Sequence, residues 1–205
     1  MPPPGDARSV GRADDVDLLA LLWRTWHRAG SSLTSSQWAS PSGLGDWTVR
    51  DLYAHVAKGV TTTATLPVTR EPPVLADAAA YFLALRPLGA QGAHHVAASA
   101  KEWATRPTLV EDFDTLATST LARFRTATTV TTIAGPMRIL DYALTRVLEA
   151  TVHLLDLTAA VPGIATVPEP ALHRTVDVLA DLTPPADFIA LATGRSTPAL
   201  FPVLT

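Results

Sequence analysis

The spacing of hydrophobic residues along the chain predicts a protein built mainly of helices. Apolar side chains recur every three or four residues over most of its length, which is the pattern of helices with one buried face. The predicted helices cover residues 14–28, 49–58, 76–104 in two pieces, 109–125, 137–159 and 170–182. Only the β-branched stretch 126–135 favours a short extended segment. The pattern therefore predicts an all-α fold, an antiparallel four-helix bundle with extra short helices.

Individual residues set where these helices begin and end. Thr48 is the predicted N-cap of the second helix, and Asp51, three residues later, completes a capping box. Pro87 should break the helical stretch around it, because proline lacks the backbone N–H and clashes with the preceding turn. Loops are expected over the Ser-, Gly- and Pro-rich residues 35–45 and over the threonine-rich stretch that follows Lys58.

Length and composition fit one domain. The chain has 205 residues, of which 47% are hydrophobic, so it can bury a core of ordinary size. We expect residues 1–13 to form a flexible tail and residues 14–205 to form the bundle with a short C-terminal extension. No run reaches the roughly 18 to 20 apolar residues of a membrane helix, and the first residues lack the basic and apolar regions of a signal peptide. The sequence therefore predicts a cytoplasmic protein that does not enter a membrane.

Charge and cysteine content narrow the function. Sixteen Lys and Arg against nineteen Asp and Glu give a net charge of −3, and there is no basic run that would neutralise a row of phosphates. We therefore expect no nucleic-acid partner, but a small-molecule substrate and a monomer or homodimer. The chain has no cysteine, which excludes disulfides and a sulfur nucleophile of the protein's own. Any thiol chemistry would need an external thiol.

The predicted helix 137–159 gathers its polar side chains on one face. At ~100° per residue, one narrow arc carries Tyr142, Thr145, Arg146, Glu149, His153 and Asp156. The remaining surface of the helix is almost entirely apolar. Two interpretations stay open: the arc is the solvent face of a deeply packed helix, or it lines a polar pocket inside the bundle.

Glu149 and His153 are candidate metal ligands because side chains four residues apart lie one turn apart on the same face. Two ligands do not make a site, and His55, at the edge of the apolar stripe of the second helix, is the candidate for the third. Two imidazoles and one carboxylate would leave open positions on Zn²⁺ or a similar ion, which is typical of catalytic rather than structural sites. The weaker candidates are the adjacent pair His94 and His95, together with His27 and His173.

Two segments resemble the mycothiol-dependent maleylpyruvate isomerase family, part of the DinB-like superfamily of metal-binding four-helix bundles. They are Trp47-Thr48-Val49-Arg50-Asp51-Leu52-Tyr53-Ala54-His55 and Arg146-Val147-Leu148-Glu149-Ala150-Thr151-Val152-His153-Leu154-Leu155-Asp156-Leu157. The resemblance implies a DinB-like bundle in which His55, Glu149 and His153 hold a divalent metal, with Zn²⁺ the likeliest ion. It also implies a mycothiol-like thiol as cofactor or co-substrate.

On this resemblance we expect an isomerase or S-transferase acting on a small electrophilic substrate. Tyr142 and Arg146 share the metal-facing arc and are candidate catalytic residues, as a proton donor and as a holder of an anionic group. Asp156 is placed to fix a ligand or to pair with an arginine. Two other classes stay open: a metal-dependent hydrolase of a small ester or amide, and a non-catalytic metal-binding bundle.

Arg195 is a possible substrate anchor near the end of the sequence. It follows a predicted short turn over 188–193 and Gly194. The family's isomerase looks longer, with a carboxy-terminal domain that supplies an arginine to the substrate carboxylates, whereas this sequence ends ten residues after Arg195. Arg195 would either bind a carboxylate at the pocket mouth or remain in solvent and cap the preceding turn. We expect the second.

Overall fold

The structure, a computed structural model, describes residues 7–195, and for residues 7–14, 90 and 91 it describes the backbone only. The described helices are α1 (Ala7–Ser32), α2 (Ser35–Trp38), α3 (Val49–Thr65), α4 (Ala78–Leu85), α5 (Gly89–Ala104), α6 (Leu109–Phe124), α7 (Ile139–Ala160), α8 (Glu169–Leu182) and α9 (Pro185–Ala192). A 3-10 turn, Arg86–Leu88, separates α4 from α5, and two strands, β1 (Thr129–Thr132) and β2 (Gly135–Arg138), precede α7.

Four long helices, α1, α3, α6 and α7, pack around one hydrophobic core. The largest side chains fully buried there include Trp26, Tyr53, Phe113 and Leu148. Helix α5 packs on the outer side of α3, and α8 packs on α7 and α4. The prediction of an all-α bundle with extra short helices is confirmed. Over the described part of the chain, no helix combines the length and apolarity needed to cross a bilayer.

The directions of the helices decide which residues meet. Helices α3 and α7 are antiparallel, so His55 lies beside His153, and Gly59, one turn further along α3, lies beside Arg146. Helices α3 and α6 run in the same direction, because the connection through α4 and α5 returns the chain to the end at which α3 began. Tyr53 therefore packs on Phe113 near both helix starts.

Several predicted boundaries are confirmed. Helix α3 begins at a capping box in which Thr48 and Asp51 exchange hydrogen bonds, as expected. The break at Pro87 falls in the 3-10 turn between α4 and α5. The stretch predicted to be extended contains β1, which pairs with β2 in an antiparallel hairpin. The extended structure continues to Arg138, so α7 begins at Ile139 and not at the predicted Met137.

Other boundaries were predicted wrongly. Helix α3 continues to Thr65, through the stretch expected to be a loop, because this part of the chain packs with the rest of α3 against α5 and α6. Thr61, Thr63 and Thr65 donate their hydroxyls to carbonyls four residues earlier in the same helix. Residues 35–45 were expected to form a loop but contain α2, which begins at a second capping box, Thr34 with Gln37.

At the two ends of the chain, helices are longer than expected. Helix α1 begins at Ala7, ahead of the predicted start at residue 14, and α9 is a full two turns where a short turn was expected. Residues 1–6 of the predicted tail and residues 196–205 of the predicted extension lie outside the described residues.

Candidate metal centre

Helix α3 carries His55 to the inner edge of the bundle. The capping box fixes the start of the helix, where the Thr48 N–H donates to the Asp51 carboxylate over 2.8 Å. The neighbouring Leu52 and Val56 are buried in the core. His55 therefore lies at the boundary between core and cavity, with 21% of its side chain exposed, and the Trp47 ring lies against it at 5.5 Å between centroids.

Helix α7 presents its polar arc to a cavity. Tyr142 and Thr145 are buried, whereas Arg146, Glu149 and His153 are half-buried. Tyr142, Arg146, Glu149 and His153 all line a cavity of about 270 Å³, together with residues of α3, α4 and α5. Of the two interpretations of the arc, the structure supports the pocket.

His55, Glu149 and His153 converge at one wall of this cavity. Each offers one ligand atom, and these atoms all lie within 4.8 Å of one another. The Nε2 atoms of His55 and His153 are each 3.7 Å from Oε2 of Glu149. The two imidazole rings meet edge to face, with centroids 4.8 Å apart. The three predicted ligands therefore come from two antiparallel helices to one point.

Asp156 orients one of these imidazoles. Its Oδ2 lies 2.9 Å from Nδ1 of His153, so an ionised Asp156 requires Nδ1 to be the protonated nitrogen that donates. In the neutral imidazole, the other ring nitrogen, Nε2, is then the one that carries the lone pair a metal would bind, and it lies on the side of Glu149. A carboxylate that accepts from the remote N–H of a metal-binding histidine is a recurrent arrangement, and it raises the basicity of the coordinating nitrogen.

The surroundings of Glu149 keep it ionised. Burial alone would raise its pKa, but the contact with His55 and the positive charge of Arg146, with further help from His153, outweigh burial and lower the pKa to about 2. Glu149 is therefore a carboxylate at any physiological pH. A carboxylate oxygen with an imidazole nitrogen on either side forms a set of three ligand atoms that attracts a divalent cation.

The three residues fit a zinc-like ion by geometry as well as by chemistry. With bonds of about 2.1 Å, two ligands on a tetrahedral ion lie roughly 3.4 Å apart. The 3.7 Å separations of His55 and His153 from Glu149 are close to this spacing, so small side-chain movements would complete the coordination. Three protein ligands would leave a further coordination position open, as in catalytic sites.

Arg146 and Tyr142 form the floor of the cavity beside the candidate ligands. The Arg146 guanidinium lies over the Tyr142 ring, 5.1 Å from its centroid, and its Nε donates to the Thr145 hydroxyl over 3.1 Å. Burial works against its charge, but Tyr142, Glu149 and Tyr81 outweigh burial and raise the pKa of Arg146. Among the side chains that the structure describes, no Asp or Glu oxygen lies within 4 Å of its guanidinium, so a permanent positive charge faces the cavity.

Three further ionisable side chains line the cavity, of which sequence reasoning missed Tyr81 and Lys58 and named His95 only as a weaker candidate ligand. Tyr81, from α4, packs edge to face on Tyr142 at 5.7 Å, and burial raises the pKa of its hydroxyl. Lys58 lines the cavity one turn after His55, with its ammonium 5.4 Å from the centre of the Trp103 ring. His95, from α5, also lines it. Only Lys58 carried a signal, namely its position on the same face of the helix as His55.

The structure places the other predicted residues elsewhere. Arg195 is exposed and is not among the residues lining the cavity. Its backbone N–H donates to the Ala190 carbonyl, while Gly194, at φ 68°, donates to Leu191, so the two close α9 in a Schellman motif. His27 pairs with Asp114 at 3.3 Å, away from the cavity, and His94 and His173 are exposed.

The fold and this site together define a helical-bundle protein with a candidate two-histidine, one-carboxylate metal centre. The sequence model of the mycothiol maleylpyruvate isomerase N-terminal domain matches residues 19–158. That is more than half of the 205 residues, and the chain belongs to this family. The matched region contains α3 and α7 up to Thr158, and so all three candidate ligands. Neither a curated protein nor a solved structure matches the chain.

Proposed function

We propose that the protein is a metal-dependent enzyme that uses a low-molecular-weight thiol of the mycothiol type as cofactor or co-substrate. Its reaction would be an isomerisation or an S-transfer on a small electrophile. The observation that carries the proposal is the convergence of His55, Glu149 and His153 on one wall of a cavity. The chain belongs to the family of the mycothiol maleylpyruvate isomerase N-terminal domain and has no cysteine of its own.

His55 and His153 would bind the ion through Nε2 and Glu149 through a carboxylate oxygen, with Zn²⁺ the ion that best suits this donor set. Bound there, the ion would lower the pKa of a thiol and hold it as the thiolate. Asp156 keeps the proton of His153 on Nδ1 and so keeps Nε2 free to bind.

Arg146 is the group in this cavity best suited to hold an anionic part of the substrate. The Tyr142 ring and the Thr145 hydroxyl fix the guanidinium from one side, which leaves its outer N–H groups for a carboxylate. Tyr142 would support Arg146 through its ring and donate a proton through its hydroxyl. The cavity, about 270 Å³, is at the lower end of the range for small-molecule sites and favours a small substrate.

The experiment combines the zinc-loaded protein with mycothiol and two probe electrophiles, maleate for isomerisation and monochlorobimane for S-transfer, and follows the products by mass spectrometry. We expect turnover of at least one probe only when both zinc and the thiol are present. His153→Ala should abolish it, whereas His27→Ala, a change far from the cavity, should not. Full turnover of a substrate without any thiol would contradict the proposal and favour a hydrolase, in which water takes the place of the thiol.

A further inference from the structure

Helix α5 lies outside the ring of four long helices and supplies one wall of the cavity. It packs on α3, and α7 also packs on α3, so the cavity occupies the space between α5 and α7. From α5 it receives His95, Val96, Ser99 and Ala100. His95 thus shares the cavity with the candidate ligands while remaining exposed to solvent.

Among the described residues, His95 is the imidazole that lines the cavity outside the set of His55, Glu149 and His153. The titratable side chains that line it are His55 and Lys58 from α3, Tyr81 from α4, His95 from α5, and Tyr142, Arg146, Glu149 and His153 from α7. His55, Glu149 and His153 are the candidate ligands. Guanidinium, ammonium and phenol groups ordinarily keep their protons at neutral pH. Among the described lining residues this leaves His95, an imidazole, as the group whose chemistry allows it both to accept and to donate a proton.

The proposed function creates a need for such a group. A thiol that enters the cavity and is held as a thiolate must give up its proton, and free thiols are mostly protonated at neutral pH. His95 and the three candidate ligands line the same cavity, so a small thiol bound there lies between α5 and α7. Because His95 is exposed, it can pass the proton on to bulk water.

We propose that His95 is the general base that deprotonates the incoming thiol, an inference that rests on the proposed function. In this step the S–H bond breaks, its electron pair stays on sulfur, and the proton forms an N–H bond on the His95 imidazole. The imidazolium then releases the proton to water through its exposed side, and neutral His95 is restored. No oxidant or other reactant is consumed.

The test measures thiolate formation instead of turnover. Protein loaded with Co²⁺ is mixed with N-acetylcysteine in a stopped-flow instrument, and growth of the sulfur-to-cobalt charge-transfer absorption is followed between pH 5.5 and 8.5. Three proteins are compared: the parent, His95→Gln, and His94→Gln as the matched control. His94 is the neighbouring exposed imidazole on α5 that does not line the cavity.

We expect His95→Gln to slow thiolate formation at pH 7 by at least about tenfold, since general base catalysis typically contributes ~10²-fold or more. In that variant the rate should rise about tenfold for each pH unit, because only preformed thiolate would bind. His94→Gln should behave as the parent does. Added imidazole should restore part of the rate to His95→Gln.

Equal rates and pH profiles for the parent and His95→Gln would overturn the inference. A change in the Co²⁺ spectrum of His95→Gln before any thiol is added would also overturn it, since His95 would then be a ligand. If the parent formed no charge-transfer band at any pH, the proposed thiol function would fail and this inference with it. That outcome is distinguishable from the first, in which the band forms equally well without His95.

Discussion

Replacement of Asp156 by asparagine tests how the candidate ligand His153 is held. Asp156 accepts a hydrogen bond from Nδ1 of His153 over 2.9 Å and is half-buried beside it. Asparagine has nearly the same shape but no charge. Its amide can also rotate to donate to Nδ1, which would move the imidazole proton to Nε2 and block the nitrogen that faces Glu149.

The expected effect is a loss of metal affinity without loss of the fold. Removing a carboxylate that supports a metal-binding histidine typically costs ~10- to 100-fold in affinity, which corresponds to about 1.4 to 2.8 kcal/mol. Competition for Zn²⁺ against a chromophoric chelator would measure this change. Asp114→Asn is the matched control, since Asp114 pairs with His27 at 3.3 Å but does not line the cavity.

A Zn²⁺ affinity of Asp156→Asn within a factor of two of the parent would refute this reasoning. It would mean either that His153 does not bind the ion or that Asp156 does not set its orientation. A loss of affinity in Asp114→Asn as large as that in Asp156→Asn would be equally damaging, because it would point to a general effect of charge.

Four further substitutions test stability and the end of the chain. Gly30→Ala should destabilise the protein by about 1 to 3 kcal/mol in chemical denaturation, because the added Cβ would lie 2.6 Å from the buried Tyr53 ring. Gly59→Ala, where the nearest atom is 3.7 Å away, should be neutral or stabilise by up to ~1 kcal/mol. Arg195→Ala should leave Zn²⁺ affinity and any turnover unchanged, and a large loss of either would contradict its role as a helix-end residue. In metal-free protein, Glu149→Gln should destabilise at pH 6, and this effect should be lost as the pH falls from 4.5 to about 2, because a lowered folded-state pKa stabilises fully above the unfolded pKa and not below the folded one. A loss independent of pH would contradict this.

The long helices and two of the three candidate ligands could be predicted because their signals are local. The polar arc on α7 follows from the helical repeat alone, and the separation of Glu149 from His153 places both on one face whatever surrounds them. The start of α3 was equally predictable, since the side chains of Thr48 and Asp51 each accept a hydrogen bond from the backbone N–H of the other. His55 could be named as the third candidate from its place at the edge of the apolar stripe of α3, but only the resemblance tied it to Glu149 and His153, because one histidine on one helix does not indicate which helix it will face.

The parts that sequence reasoning missed depend on tertiary packing. Threonine lowers helix propensity only slightly, so packing of α3 against α5 and α6 could extend it to Thr65. His95 was set aside because it adjoins His94 and the two rings diverge on a helix. Because the rings diverge, His95 lines the cavity and His94 does not. No local pattern in the Ala-rich segment indicates which of the two will do so. Tyr81 likewise joins the site only through the packing of α4 on α7.

The central claim is that His55, Glu149 and His153 bind one divalent ion, and elemental analysis of the purified protein tests it most directly. Protein equilibrated with Zn²⁺ and then desalted should contain about one ion per chain. The control His94→Ala should contain the same amount, and His153→Ala should contain almost none. A parent protein without metal, or a His153→Ala variant that retains as much zinc as the parent, would contradict the claim.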